Sequence, residues 1–143
     1  MASLLLLGVC WFWRPLGGEW YRASGAPAIT LAAVQLIGLW LTARAVARID
    51  PLELAGIRRA SGTDGLQISG PYRLVRHPLY LGWLLMVFGA AHMTGDRLAF
   101  AAMTTLYLIV AIPWEEQSLR QNFGDGYTRY MRTVRWRMIP FIY

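Results

Sequence analysis

Four apolar stretches punctuate the 143-residue chain, at 4–13, about 27–47, 79–94 and 98–114, with polar segments between them. The second is long enough to cross a bilayer as a helix and is interrupted only by Gln35 and, near its end, Arg44. Gly95-Asp96-Arg97 separates the third and fourth and reads as a tight polar turn, so the pair predicts a helical hairpin that crosses and returns. The first stretch is short for a span. It lacks the basic leading segment and cleavage site of a secretory signal and reads as a short or partly inserted helix. Asp50-Pro51 suits a helix start and predicts a short interfacial helix over 52–59. Ser61-Gly62-Thr63-Asp64-Gly65 and Ser69-Gly70-Pro71-Tyr72 read as turns. Polarity returns at Glu115-Glu116, and 117–132 reads as an amphipathic segment broken near Phe123-Gly124-Asp125-Gly126. The expectation is one all-α integral membrane bundle of about four spans. Its parts are N-terminal spans (1–47), a cytoplasmic loop (48–78), a C-terminal helical hairpin (79–114) and a cytoplasmic amphipathic tail (115–143).

Composition supports lipid as part of the solvent. The chain is 56% hydrophobic and 15% charged, too few polar residues to cover a soluble domain of this size. Its seven Trp and seven Tyr suit the bilayer interface. All fourteen basic residues are arginines, and the net charge is +6. They gather at the ends of apolar runs rather than along one soluble face, which argues against nucleic acid as a partner. Eleven lie at the end of the second stretch or in the loop and tail (Arg44, Arg48, Arg58, Arg59, Arg73, Arg76, Arg120, Arg129, Arg132, Arg135, Arg137), against Arg14, Arg22 and Arg97 elsewhere. That asymmetry predicts a cytoplasmic loop and tail, both termini inside, and the cytoplasmic membrane as the location. The lone Cys10 excludes an internal disulfide and a Cys-based zinc site.

Three polar clusters fall at one cytoplasmic level: Arg76-His77 with Tyr80, then Glu115-Glu116, then Tyr127, Arg129 and Tyr130. Taken singly, Arg76-His77-Pro78 is an interfacial anchor with a helix-starting proline, and Glu115-Glu116 a solvated helix end. A hairpin brings 77 and 115 to the same depth, across a helix separation of roughly 10 Å that a small ligand bridges.

The run Ser69-Gly70-Pro71-Tyr72-Arg73-Leu74-Val75-Arg76-His77-Pro78-Leu79-Tyr80-Leu81-Gly82-Trp83 closely resembles the R-H-P-x-Y-x-G signature of the isoprenylcysteine carboxyl methyltransferase and phospholipid methyltransferase superfamily. Glu115-Glu116-Gln117-Ser118-Leu119 resembles that family's E-E-x-x-L. Phe123-Gly124, Tyr127, Tyr130, Val134 and Ile139-Pro140-Phe141 resemble its tail. Order and spacing are kept from about residue 66 onward, roughly half the chain.

The resemblance implies a methyltransferase with S-adenosylmethionine as cofactor, bound on the cytoplasmic side between hairpin and tail. Tyr72, Arg76, His77, Pro78, Leu79, Tyr80, Gly82 and Glu115 would form the cofactor site. Glu115, with Glu116 as neighbour or substitute, would be the catalytic candidate if the acceptor needs a base. Arg76 or His77 could hold the donor's carboxylate, Tyr80 could face its sulfonium, and Gly82 would permit close approach of backbone or ligand. One helical turn before the glutamates, isoprenylcysteine enzymes carry an arginine that touches the acceptor; here that position is Ala111. Trp83-Leu84-Leu85 with Met93-Thr94 is similar to bacterial members that methylate small thiols. The implied partners are membrane lipid and a small or lipidic acceptor: a thiol, a carboxylate or a headgroup. Two rivals are an NADPH-dependent membrane reductase of the sterol-reductase type and a non-enzymatic membrane subunit. The reductase pattern R-H-x-N-Y-x-G-[ED] meets Leu79 in place of its Asn and Trp83 in place of its acid. The retained His77, Tyr80 and Glu115 argue against a non-enzymatic subunit.

Overall fold

The computed structural model describes residues 16–48 and 66–143. The expected first helix over 4–13, Cys10, the interfacial helix over 52–59 and the turn at 61–65 lie outside the described residues. Strand β1 (Glu19–Arg22) leads into helix α1 (Ala26–Val46). A single 3₁₀ turn (Gly70–Arg73) precedes helix α2 (Pro78–Phe88). Strand β2 (His92–Thr94) and helix α3 (Gly95–Thr133) complete the element order.

Helix α1 starts with a proline in its first turn and places Arg44 in its last, where a cation meets the carbonyl end of the dipole. Its 21 residues give about 31 Å, the thickness of a bilayer core. Only Gly38, Leu41 and Ala45 are buried, while Ile29, Leu36 and Trp40 are exposed by 72%, 65% and 60%. On α3, Leu106, Tyr107 and Val110 are similarly bare. A core helix of a soluble domain hides such side chains; these two helices, both long and apolar enough to cross a membrane, present them outward. This is the surface of an integral membrane protein.

The third segment departs from the expected span over 79–94. Helix α2 stops after 11 residues, at Gly89, and covers only about 16 Å. The chain continues extended into β2, which pairs antiparallel with β1 through Tyr21↔Met93 and Arg22↔His92. An extended chain rises about 3.3 Å per residue against 1.5 Å in a helix. The change of conformation thus carries the segment further than a helix of the same number of residues would. Its exposed peptide groups find partners on β1, and the Ala23 amide donates to the Ala91 carbonyl at 2.8 Å. Gly95-Asp96-Arg97, expected as a turn, is instead the first turn of α3. The Thr94 hydroxyl caps it, accepting from the Arg97 amide at 3.3 Å, and Asp96 supplies an acidic residue near the helix N-terminus.

Helix α2 lies on α1 with almost no space between the backbones. A Cβ on Gly38 would come within 2.7 Å of the Gly82 carbonyl oxygen, and one on Gly82 within 2.8 Å of the Gly38 carbonyl oxygen. Gln35 completes the seam by donating to the Met86 carbonyl at 3.0 Å. Against α3, α2 packs Leu84 on Leu108 and Ile112 in a cluster that also takes in Met138, and Trp83 meets Phe100 edge-on.

Helix α3 runs unbroken past Trp114 and breaks where the sequence suggested, at Gly124, whose φ of 52° only glycine adopts at little cost. Pro113 sits inside it. Lacking an N–H, Pro113 leaves the Ile109 carbonyl without its helical donor. The Tyr143 hydroxyl lies 3.4 Å from that oxygen and donates to it. Beyond Thr133 the chain doubles back, so that Met138, Ile139 and Tyr143 pack beside Leu108 and Ile112.

Candidate active site

The site forms where the residues before α2 meet the returning tail. His77 occupies the N-cap position of α2, and Pro78, buried, fills the first turn. The Arg76 and His77 amides donate to the Trp136 and Arg137 carbonyls at 2.9 and 2.7 Å. Those two bonds fix the directions in which both side chains leave the backbone.

Arg76 then turns inward. Its Nε donates to Glu116 Oε1 at 2.7 Å, and its Nη1 to the Val134 carbonyl at 3.0 Å. Glu116 is 1% exposed and is approached by three cationic or imidazole groups: Arg76, His77 Nε2 at 3.5 Å and Arg137 Nε at 3.4 Å from its second oxygen. Burial alone would raise the Glu116 carboxyl. The neighbouring His77 imidazole and the charges of Arg76 and Arg137 outweigh it, and the group is held below its ordinary value.

Glu115, one residue earlier, faces outward with 42% of its side chain exposed. Tyr80 donates to its Oε2 at 2.7 Å, and His77 Nδ1 lies 3.6 Å from the same oxygen. The His77 and Tyr80 rings stack one helical turn apart, with centroids at 5.4 Å and planes within 4°. Tyr72 closes another side: the Tyr130 hydroxyl donates to its carbonyl at 2.6 Å. Burial, followed by the charge of Glu115, pushes the Tyr72 phenol up to about 12.

The expected residues therefore divide. Tyr72, His77, Tyr80 and Glu115 come together around one half-open carboxylate. Arg76 and Glu116 pair with each other, and Arg76 also donates to the Val134 carbonyl. Pro78 starts the helix, and Leu79 is half-buried at its beginning. Gly82 faces α1, so its close approach is of backbone to backbone. Sequence reasoning missed Arg137, which counted only as one of the cytoplasmic arginines. It sits beside Glu116 because the tail folds back, and it stacks over the Tyr143 ring at 5.1 Å. Tyr127 is 2% exposed, beside Tyr130. Among the described residues no group of three His, Cys, Asp or Glu side chains is placed to hold a metal.

The sequence profile of the phospholipid methyltransferase family matches residues 59–126, the segment that carries His77, Tyr80, Glu115 and Glu116. The chain is 39% identical to methanethiol S-methyltransferase 2 of Bradyrhizobium diazoefficiens over 143 aligned residues, 94% of this chain and 55% of that protein. It is 32% identical to the methanethiol S-methyltransferase of Mycobacterium tuberculosis, over 94% of this chain and 59% of that one. With protein-S-isoprenylcysteine O-methyltransferase A of Arabidopsis thaliana it shares 37% identity over 54% of its length and 41% of the plant protein's. The chain belongs to the isoprenylcysteine and phospholipid methyltransferase superfamily. It spans about half the length of the curated relatives it matches. No solved structure matches it. Within this superfamily the methanethiol enzymes align over both described parts of the chain, whereas the plant enzyme aligns over about half of it.

Proposed function

We propose that this chain transfers a methyl group from S-adenosylmethionine to a small thiol at the cytoplasmic face of the membrane. The observation that carries this reading is Glu115: a carboxylate left half open at the end of a span and fixed by Tyr80 and His77. An open anion beside two aromatic rings is suited to a cationic ligand. The donor's ammonium and sulfonium are of that kind, so the donor set present fits the methyl donor. When bound, S-adenosylmethionine supplies an electrophilic methyl group on a positively charged sulfur.

The chain's own part is positioning and dehydration. Glu115 binds the ammonium or the ribose hydroxyls. Tyr80 holds Glu115 in one rotamer and offers its ring face, and Tyr72 walls the site against water. Methyl transfer is an in-line displacement, so orientation supplies most of the rate once the acceptor is a thiolate. A neutral thiol must lose its proton; of the two carboxylates Glu115, the more exposed, is the candidate base where the donor's ribose rather than its ammonium occupies it, and Glu116, tied to Arg76, is not. Ala111 in place of the arginine of isoprenylcysteine enzymes, and the extent of the alignment to methanethiol enzymes, favour a small thiol over a prenylated protein. The ten arginines of the loop and tail, with Arg44 just before them, support the cytoplasmic side.

Calorimetric titration of the detergent-purified chain with S-adenosylhomocysteine, alongside NADPH, tests this. Saturable binding of the first and none of the second is expected, with methanethiol then consumed when S-adenosylmethionine is added. Binding of NADPH alone would move the protein to the reductase chemistry, and a folded sample binding neither would end the enzymatic reading.

A further inference from the structure

Among the described residues other than glycine, Phe141 alone has a left-handed backbone, with φ of 66°, and its side chain is 84% exposed. Bulky residues are outliers in that region, where a turn in water favours glycine or asparagine. Ile142 beside it is 78% exposed. Two large bare side chains at the tip of a strained turn call for an apolar medium to receive them.

We infer that the loop Met138–Tyr143 dips into the lipid leaflet on the Glu115 side and presents Phe141 and Ile142 to its acyl chains. Depth supports this. Met138 packs on Leu108 and Ile112, which precede Glu115 by seven and three residues, about 10 and 5 Å along the helix. The Tyr143 hydroxyl reaches the Ile109 carbonyl, six residues or about 9 Å inside. One leaflet supplies about 15 Å of hydrocarbon, so all three contacts fall within it. The loop also satisfies its own backbone, as a segment away from water must. Met138 and Ile139 both donate to the Tyr143 carbonyl, and Ile142 and Tyr143 both donate to the Ile139 carbonyl. Pro140 has no amide to satisfy. The polar end of Tyr143 turns inward, to Ile109 and Arg137. On α3, Ile109, Val110 and Trp114 are exposed at the same depth, so the tip continues a surface that already faces lipid. The Trp136 ring, centred 5.3 Å from that of Phe141, stands where the chain enters. The segment leading into the loop supplies the Trp136 and Arg137 carbonyls to Arg76 and His77. Lipid contact at the tip thus fastens the segment that orients the site, whatever ligand the site takes.

The test is spin-label accessibility in lipid nanodiscs, in a Cys10→Ala background that removes the single cysteine. Labels are placed through Ile142→Cys, through Val110→Cys on the bare face of α3, and through Gln121→Cys, six residues past Glu115. Molecular oxygen concentrates in hydrocarbon, whereas a nickel chelate stays in water. Oxygen should relax the label at 142 more than the chelate does, as at 110, with the order reversed at 121. Phe141→Asn, which suits the left-handed backbone and lacks the ring, should shift the label at 142 toward the chelate. A label at 142 that behaves like the one at 121 would overturn the inference and leave the loop in water. Shielding from both reagents would also overturn it, by giving the tip to a protein surface such as a second copy. An unchanged label in Phe141→Asn would remove Phe141 from the anchor.

Discussion

Arg76 and Glu116, forty residues apart in the chain, meet at 2.7 Å with 6% and 1% of their side chains exposed. The pair joins the start of α2 to α3, and through Val134 it also holds the tail. Removing one partner takes the nearest counter-charge from a buried ion, Arg137 at 3.4 Å being the cation left beside Glu116, and breaking such a buried pair costs about 3–5 kcal/mol. Arg76→Met or Glu116→Leu alone should therefore lower the thermal midpoint in detergent sharply, and the double variant should recover much of the loss. A double variant no better than the singles would show that the pair does more than neutralise itself.

The same pair sets an acid limit. Glu116 is held below its ordinary value of 4.5, so its ionised form is favoured by folding. That contribution is present in full above about 4.5 and is lost as pH falls from there through the lower folded value. The thermal midpoint should hold steady from pH 7 to 5 and decline below, and Glu116→Gln should flatten this decline. An unchanged decline in that variant would assign it to other carboxylates.

Glu115 stands in contrast, since its side chain is 42% exposed. Glu115→Gln should weaken S-adenosylhomocysteine by tenfold or more, from the loss of a charge-assisted hydrogen bond worth about 1.5–3 kcal/mol. It should leave the thermal midpoint within a degree or two. Tyr80→Phe, which frees the carboxylate without removing it, should have a smaller effect of the same sign. A wild-type affinity in Glu115→Gln would remove the residue from the site.

The α1–α2 seam makes a steric prediction. Gly82→Ala drives a Cβ toward Thr42 Oγ1 and to 2.8 Å from the Gly38 carbonyl. Thr42→Ala relieves the first contact and not the second, so Gly82→Ala should remain destabilised by 2 kcal/mol or more, roughly, in the Thr42→Ala background. Full rescue in the double variant would mean that the hydroxyl alone set the limit.

Pro113 and Tyr143 should be coupled. Tyr143→Phe withdraws the donor from the Ile109 carbonyl and should cost about 1 kcal/mol. In Pro113→Ala a backbone amide takes that carbonyl, and the cost of Tyr143→Phe should shrink. A thermal-unfolding double-mutant cycle reads this directly, and additive effects would dissolve the link.

Much of the site was legible because it is local. Arg76-His77-Pro78-x-Tyr80 spans one helix start, and the Glu115-Glu116 step ends one apolar run, so hydropathy alone set them at one level. The break at Gly124 was legible from glycine chemistry. The division of labour between Glu115 and Glu116 was not, because neighbours on a helix point about 100° apart and only packing tells which turns inward. Arg137 was hidden for a similar reason, since its partner is reached through a fold-back with no periodic signature. The 79–94 segment misled because its apolar character fits a helix or a buried strand equally well. Pairing with Glu19–Arg22, some seventy residues away, decides for the strand at its far end.

That pairing sets where a fragment of this protein can begin. The extended end of the third segment keeps its peptide hydrogen bonds only while 19–23 is present to receive and supply them. A chain cut just before α1 would retain both long helices and every residue around Glu115. It would also leave the edge of β2 without the strand that pairs with it. A fragment that keeps this ribbon whole thus starts upstream of the first long helix.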